Sequence, residues 1–193
     1  MVPQKQTFPL GLTFNDILLL PHYTDFSRSD IQLSTQATKN ITLQIPLISS
    51  PMDTVTESQL AIELAKIGGL GIIHRNLPIS KQANEVARVK KQKLLVGAAI
   101  GASSGFEERA GALIQAGADC ILIDSAHGYS KGVIDTLVYL KNKYKKIDVI
   151  AGSIATYDGA KTLIAKGADA LRVGMGPGAI CTTRIISGMG VHK

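Results

Sequence analysis

The chain has 193 residues, 45% hydrophobic and 19% charged, which is enough for one packed domain and too few for two of ordinary size. It has no apolar run near the ~20 residues of a membrane span, no signal-peptide pattern and no disulfide framework, which together favour a cytoplasmic protein without a membrane segment. The net charge of +6 reflects lysine clusters at 90–93 and 141–146, which sit where helices are predicted to end and so favour solvated helix termini over nucleic-acid binding.

Apolar strand patterns and amphipathic helix patterns alternate along the chain after an N-terminal stretch. The predicted strands are 45–50, 70–74, 95–100, 120–124, 148–151 and 170–173. The predicted helices are 57–67, 80–90 (with Ser80 as a candidate cap), 106–116, 132–142 and 158–166. Repeated strand–helix units of this kind predict an α/β fold with a parallel sheet.

Short joints and polar strand ends narrow that choice of fold. Gly117 and Gly167 occupy equivalent joints and are predicted to close their helices in a left-handed conformation. Polar residues follow most of the strands, which favours a (β/α)8 TIM-type barrel over an open sheet with a single switch point. Since a barrel needs ~250 residues, we expect residues 1–193 to form one incomplete barrel domain of about six units, a fragment of a longer catalytic domain.

The segment 174–184 is the most informative part of the sequence. Three glycines and a proline exclude a regular helix directly after the last predicted strand, and Cys181 follows with Arg184 close behind. A nearby cation favours a thiolate, so Cys181 is a candidate nucleophile, whereas Cys120 lies in a predicted strand and is expected in the core. Such a loop can also direct backbone N–H groups at an anion, or carbonyls at a cation.

Five segments resemble the IMP dehydrogenase / GMP reductase family. They are 11–21, 49–57, 68–76, 123–128 and the cysteine loop 174–184, and the resemblance extends over nearly the whole chain. The sequence of residues 50–55, Ser-Pro-Met-Asp-Thr-Val, is more similar to that of the dehydrogenases than to that of the reductases. IMP dehydrogenase is therefore the first interpretation, and GMP reductase is the alternative.

The resemblance implies NAD-dependent oxidation of IMP to XMP in guanine nucleotide synthesis. By this resemblance Cys181 would form a covalent thioimidate with the purine, and Thr183 would position the water that hydrolyses it. The implied substrate contacts are Ser50, Met52, Gly178 and Ala179.

The resemblance also implies a cofactor site and a cation site. The implied NAD contacts are Asp124, Ser125, Ser153, Arg172 and Gly174. Backbone carbonyls of Gly176, Gly178 and Cys181 would hold K⁺. His74 and His127 follow strands and are interpreted as hydrogen-bonding residues around the site, since no second metal ligand is spaced to join them.

Three departures from the family pattern affect these expectations. Residues 89–95 cross directly to the next strand, so the regulatory CBS modules of most members are not expected. Ala179 replaces a serine that contacts the substrate phosphate, and Ser153 stands where asparagine is common. The flap that carries the family's Arg-Tyr pair is not in the sequence, so a non-catalytic nucleotide-binding or assembly fragment stays a further alternative. Whole members are tetramers, which is the assembly expected of a complete barrel.

Overall fold

The computed structural model describes residue 12, residues 16–176, residue 178 and residues 181–191. Ala179, one of the predicted substrate contacts, lies outside the described residues, as do Pro177 and Ile180 of the cysteine loop. Within the part of the chain that the structure describes, no helix is long and apolar enough to cross a membrane.

Strands and helices alternate through the body of the chain. The strands are β1 (Thr35–Gln36), β2 (Thr42–Leu43), β3 (Gly71–Ile73), β4 (Val96–Ile100), β5 (Cys120–Asp124), β6 (Asp148–Ile154) and β7 (Ala170–Val173). The helices are α1 (Ser58–Lys66), α2 (Ile79–Lys91), α3 (Phe106–Gln115), α4 (Lys131–Lys143), α5 (Tyr157–Ala165) and the short α6 (Thr183–Ser187).

Strands β3 to β7 form one parallel sheet in chain order, which is the arrangement of a partial TIM-type barrel. The predicted fold class is therefore confirmed. Each of the five predicted helices is also confirmed, with ends within one residue of the observed ones. Gly117 and Gly167 adopt φ values of +98° and +95°, as expected of helix-terminating glycines.

Two local predictions are wrong. Residues 45–50 do not form a strand and contribute only an isolated parallel bridge between Ile48 and Leu70, since Pro46 has no N–H to give to a ladder. Ser80 is not a helix cap, because α2 begins at Ile79 and Pro78 occupies the capping position.

The two faces of the sheet carry two separate apolar clusters. One face packs on the helices, with β-strand residues such as Ile100 and Ile123 against Leu113 and Leu137. On the opposite face, Cys120 is fully buried, as predicted, and a Cβ added to Gly97 would lie 2.9 Å from its sulfur. The thiol of Cys120 therefore fills the space over that glycine.

A hairpin made of β1 and β2 closes the inner face at the amino ends of the strands. Its residues Ile41 and Leu43 join the inner cluster, and the backbone N–H of Lys39 donates to the carbonyl of Asp169 at 3.1 Å. Thr38 and Asn40 donate to the buried carboxylate at the start of β6. The opposite, carboxyl ends of the strands are left to form the site.

Candidate active site at the carboxyl ends of the strands

A cleft of about 570 Å³ lies where β3, β5, β6 and β7 end. Parallel strands end at the same edge, so polar residues that are distant in sequence meet there. Of the predicted site residues that the structure describes, all but Met52 meet there: the cleft is lined by Ser50, Asp124, Ser125, Ser153, Arg172, Gly174, Gly176, Gly178, Cys181 and Thr183.

Cys181 lies half-buried in the cleft wall, just before α6. Hydrogen bonds from the hydroxyl and the backbone N–H of Thr183 lower the pKa of its thiol. Burial opposes them, and the positive charge of Arg184 makes the smallest contribution, which also lowers the pKa. The sequence predicted the cation effect. The larger contribution, from Thr183, requires knowing that α6 starts at that residue and directs its N–H back toward the sulfur.

The segment that carries Cys181 packs on its own arginine. A Cβ on Gly176, whose φ is +71°, or on Gly190 would lie 2.6 Å from Cγ of Arg184. Both positions therefore require glycine. The backbone N–H of Val191 also donates to the carbonyl of Met175 at 3.0 Å, which ties the end of α6 back to the loop after β7.

The cleft wall contains two arginines on one carboxylate. Nη1 of Arg172 lies 2.6 Å from Oδ1 of Asp124, and Nε of Arg75 lies 3.5 Å from Oδ2 of the same group. Gly152 makes room for this arrangement, because a Cβ there would lie 2.6 Å from Cβ of Arg172. With two guanidinium groups and one carboxylate, the wall is net positive and attracts anions.

Ser125 and Ser153 are held in register by backbone bonds between neighbouring strand ends. The N–H of Ser125 donates to the carbonyl of Gly152 at 3.0 Å, and the N–H of Ser153 donates to the carbonyl of Ser125 at 2.7 Å. Gly128 completes the link by donating to the carbonyl of Ser153 at 2.7 Å. The two serines are therefore presented to the cleft by a rigid backbone.

Ser50 and Met52 come from the loop after the isolated bridge and differ in position. Ser50 lines the cleft, and its carbonyl accepts the hydroxyl of Thr56 at 2.6 Å. The side chain of Met52 is half-exposed and does not line the cleft. It is therefore neither packed in the core nor placed against the substrate space.

His74 is buried and hydrogen-bonded, as interpreted from the sequence. Its Nδ1 accepts the N–H of Asn76 at 3.2 Å, and its Nε2 lies 3.4 Å from a carboxylate oxygen of Glu57. His127 is exposed, and its backbone N–H donates to Oγ of Ser125 at 3.2 Å. The histidines thus belong to the loops around the cleft.

The predicted ligands of a cation are backbone carbonyls of the cysteine loop. Among the described residues no group of three His, Cys, Asp or Glu side chains could hold a metal ion. The carbonyl of Gly178 accepts the N–H of Cys181 at 3.0 Å and keeps a second lone pair, so it fits weak cation ligation without being dedicated to it.

Arg75 is the functional candidate that the sequence reasoning missed. It is the second residue after the end of β3, and the rule that singled out Asp124 at the end of β5 applies to it equally. The signal was present in the sequence, but only the direction of the side chain across the ends of β4 and β5 shows that it reaches the cleft.

Comparison with known proteins gives consistent matches. The family described as IMP dehydrogenase / GMP reductase domain matches residues 11–193. Proteins named inosine-5'-monophosphate dehydrogenase are 43% identical in Cryptosporidium parvum and 40% identical in Borreliella burgdorferi, each over 95% of this chain and 56% and 58% of their own lengths. The protein of that name from Aquifex aeolicus is 32% identical over 100% of this chain and 66% of its own length. The chain thus spans just over half the length of the first two relatives.

Proposed function

Because this chain belongs to the IMP dehydrogenase / GMP reductase family, we propose that it is catalytic-domain sequence of an IMP dehydrogenase, an oxidoreductase that converts IMP to XMP. One observation carries the proposal. The only described thiol of lowered pKa, that of Cys181, lines the same positively charged cleft as the strand-end residues Asp124 and Arg172.

The first half of the proposed reaction depends on Cys181. Its thiolate adds to C2 of the hypoxanthine ring, forming a C–S bond, and the hydrogen on C2 then departs with its electron pair. The lowered pKa raises the fraction of thiolate at neutral pH, which is the reactive form. NAD, when bound, supplies the acceptor for that hydride.

The second half consumes water. Hydrolysis bonds the water oxygen to C2 and breaks the C–S bond of the thioimidate, which gives XMP and frees Cys181 as the leaving thiol. Thr183 lines the cleft, and its hydroxyl hydrogen-bonds to the sulfur, so it is placed to orient a water near the same carbon. A water-activating base from elsewhere in the full enzyme completes this step in our proposal.

The charges of the cleft suit phosphorylated ligands. We assign Ser50 and Gly178 to the phosphate end of IMP, with Ala179 as the neighbouring position, and Met52 to the purine once its half-exposed side chain turns inward. We assign Asp124, Ser125, Ser153, Arg172 and Gly174 to NAD. Asp124 fits a ribose diol, because a carboxylate shared by two arginines still has free lone pairs.

The remaining assignments extend the same proposal. K⁺ would be held by the carbonyls of Gly176, Gly178 and Cys181, which suit a weakly bound hard cation. A single domain without regulatory insertion is supported by residues 92–95, which join α2 directly to β4. We place the complete enzyme in the cytoplasm as a homotetramer.

Mixing the purified chain with IMP and NAD tests the proposal. A burst of NADH with an adduct on Cys181 in mass spectrometry supports thiolate chemistry, and Cys181→Ala abolishes both signals. NADPH consumption with GMP identifies a reductase instead. If neither nucleotide protects Cys181 from alkylation and no adduct forms, the chain is a non-catalytic fragment.

A further inference from the structure

A second cavity of about 240 Å³ lies beside the cleft and shares Arg75 with it. The loop between β4 and α3 forms one wall, with Gly101, Ser103 and Ser104 exposed to the cavity, and Arg109 of α3 forms the other. Nη1 of Arg75 would lie 3.5 Å from a Cβ on Gly101, so its side chain passes over the end of β4 to reach both cavities.

Arg109 is held rigidly by neutral acceptors. Its Nη1 donates to the carbonyl of Leu77 at 2.9 Å and to Oε1 of Gln82 at 2.7 Å. The amide of Gln82 is fully buried, and its Nε2 donates to the carbonyls of Ile73 and Ala99, which fixes the direction of its oxygen. The guanidinium is therefore oriented by the fold before any ligand arrives.

Arg109 has no anionic partner in the described part of the chain. None of the ion pairs among the described residues includes it, and the neighbouring Glu108, which also lines the cavity, is exposed. Burial and the positive charge of Arg75 lower the pKa of Arg109, with Glu108 acting in the opposite direction. The described lining of the cavity carries two guanidinium groups and one carboxylate, that of the exposed Glu108, and Arg75 shares the carboxylate of Asp124 with Arg172. The cavity therefore keeps a net positive charge, which an incoming anion stabilises.

We propose that this second cavity is a binding site for a phosphate-class oxyanion, held between Arg75 and Arg109 with the hydroxyls of Ser103 and Ser104 as further donors. The anion is either a phosphate group of a ligand that extends from the cleft or a separate phosphate. The site stands on its own geometry and does not depend on the proposed dehydrogenase activity.

Thermal unfolding against inorganic phosphate, with sodium chloride at matched ionic strength, tests the site. We expect a saturable rise in Tm of about 3–5 °C at ten times the dissociation constant, absent with chloride. The double variant Arg172→Gln/Asp124→Asn removes one cation of the cleft together with the carboxylate that it shares with Arg75, and it keeps this rise. An equal effect of chloride, or a rise that is lost in the double variant, overturns the proposal.

Ser104→Glu tests the cavity without removing either arginine. The added carboxylate occupies the place of the anion, so we expect a higher Tm in phosphate-free buffer and no further rise with phosphate. The matched control Asn84→Glu adds the same charge on an exposed position of α2 and keeps the phosphate response. A phosphate response in Ser104→Glu as large as in the parent chain contradicts the site.

NAD distinguishes the two sources of the anion. If the cavity serves a phosphate of a dinucleotide that also enters the cleft, saturating NAD removes the additional effect of phosphate. If the cavity binds a separate anion, the two effects on Tm add. Either result supports the site, whereas the absence of any phosphate effect on the parent chain overturns it.

Discussion

Thr183 affects the sulfur of Cys181 more than the arginine that follows it. Its hydroxyl and its backbone N–H both donate to the thiolate, whereas Arg184 acts through its charge alone. The aliphatic part of the Arg184 side chain packs over Gly176 and Gly190. A hydrogen bond to the charged form favours that form, so the fold lowers the pKa of Cys181 by local geometry.

Thr183→Val therefore raises the pKa of Cys181 and slows its alkylation at neutral pH. We expect the midpoint of the pH–rate profile with iodoacetamide to move upward and the rate at pH 7 to fall several-fold, since less thiolate is present. Arg184→Gln moves the midpoint less. Cys120, whose pKa burial raises to about 12, stays unreactive in the folded chain and serves as the internal control. An unchanged midpoint in Thr183→Val contradicts this assignment.

The residue types at the strand ends predicted most of the residues that line the cleft. The remaining residues could not be predicted, because the direction of their side chains is not evident from the sequence. Cys181, Asp124 and Ser153 could be placed together because parallel strands share one carboxyl edge. Arg75 was missed, and Met52 was placed in the site although its half-exposed side chain does not line the cleft. Neither outcome follows from the position of a residue relative to a strand end.

The two equivalent helix–strand joints use the same pair of charges. In each joint an aspartate accepts hydrogen bonds from a backbone N–H at the start of the preceding strand and from a lysine near a helix end. Asp119 accepts from Val96 and Lys90, and Asp169 accepts from Val149 and Lys141. The side chain of Asp169 is 7% exposed and that of Asp119 is 24% exposed. The lysine clusters that were interpreted as solvated helix ends thus include two lysines, Lys90 and Lys141, whose ion pairs connect a helix to a strand.

Asp169→Ala is expected to destabilise the chain more than Asp119→Ala. Removing the more buried carboxylate leaves a lysine and a backbone N–H unsatisfied, which costs about 3 kcal/mol, against roughly 1–2 kcal/mol at the more exposed joint. Urea unfolding measures both values. Lys141→Met combined with Asp169→Ala should recover part of the loss, because the uncompensated charge is then gone. Equal losses at the two joints would show that burial does not set the strength of the pair.

Periodicity predicted the helices and inner strands well because each has one face against a packed neighbour. It failed for 45–50 and for the hairpin of β1 and β2. These segments are extended by contacts with distant parts of the chain, such as the bridge from Ile48 to Leu70 and the bonds from Thr38 and Asn40 to Asp148. Contacts of that separation leave no local pattern.

At the scale of the molecule, the hairpin and the cleft lie at opposite ends of the same sheet. The amino end is closed by Asp148, whose Oδ2 accepts the hydroxyl of Thr38 at 2.5 Å and the N–H of Asn40 at 2.9 Å. Burial would raise the pKa of Asp148, but the hydrogen bonds from Thr38 and Asn40 outweigh it, aided by the charge of Lys141, so the pKa is lowered. The hairpin therefore docks on an ionised carboxylate.

This lowered pKa predicts an acid-labile hairpin. A carboxyl group whose pKa is lower in the folded chain than its unfolded value of ~3.9 stabilises the fold above that pH, and the stabilisation is lost as the pH falls through the folded value. Asp148→Asn should cost roughly 2–3 kcal/mol at pH 7 and progressively less below pH ~4. Amide hydrogen exchange should show residues 35–43 opening first, whereas Asp135→Asn, on the exposed face of α4, leaves the acid profile unchanged. A loss in Asp148→Asn that is the same at pH 7 and pH 3 would mean that ionisation of Asp148 does not hold the hairpin.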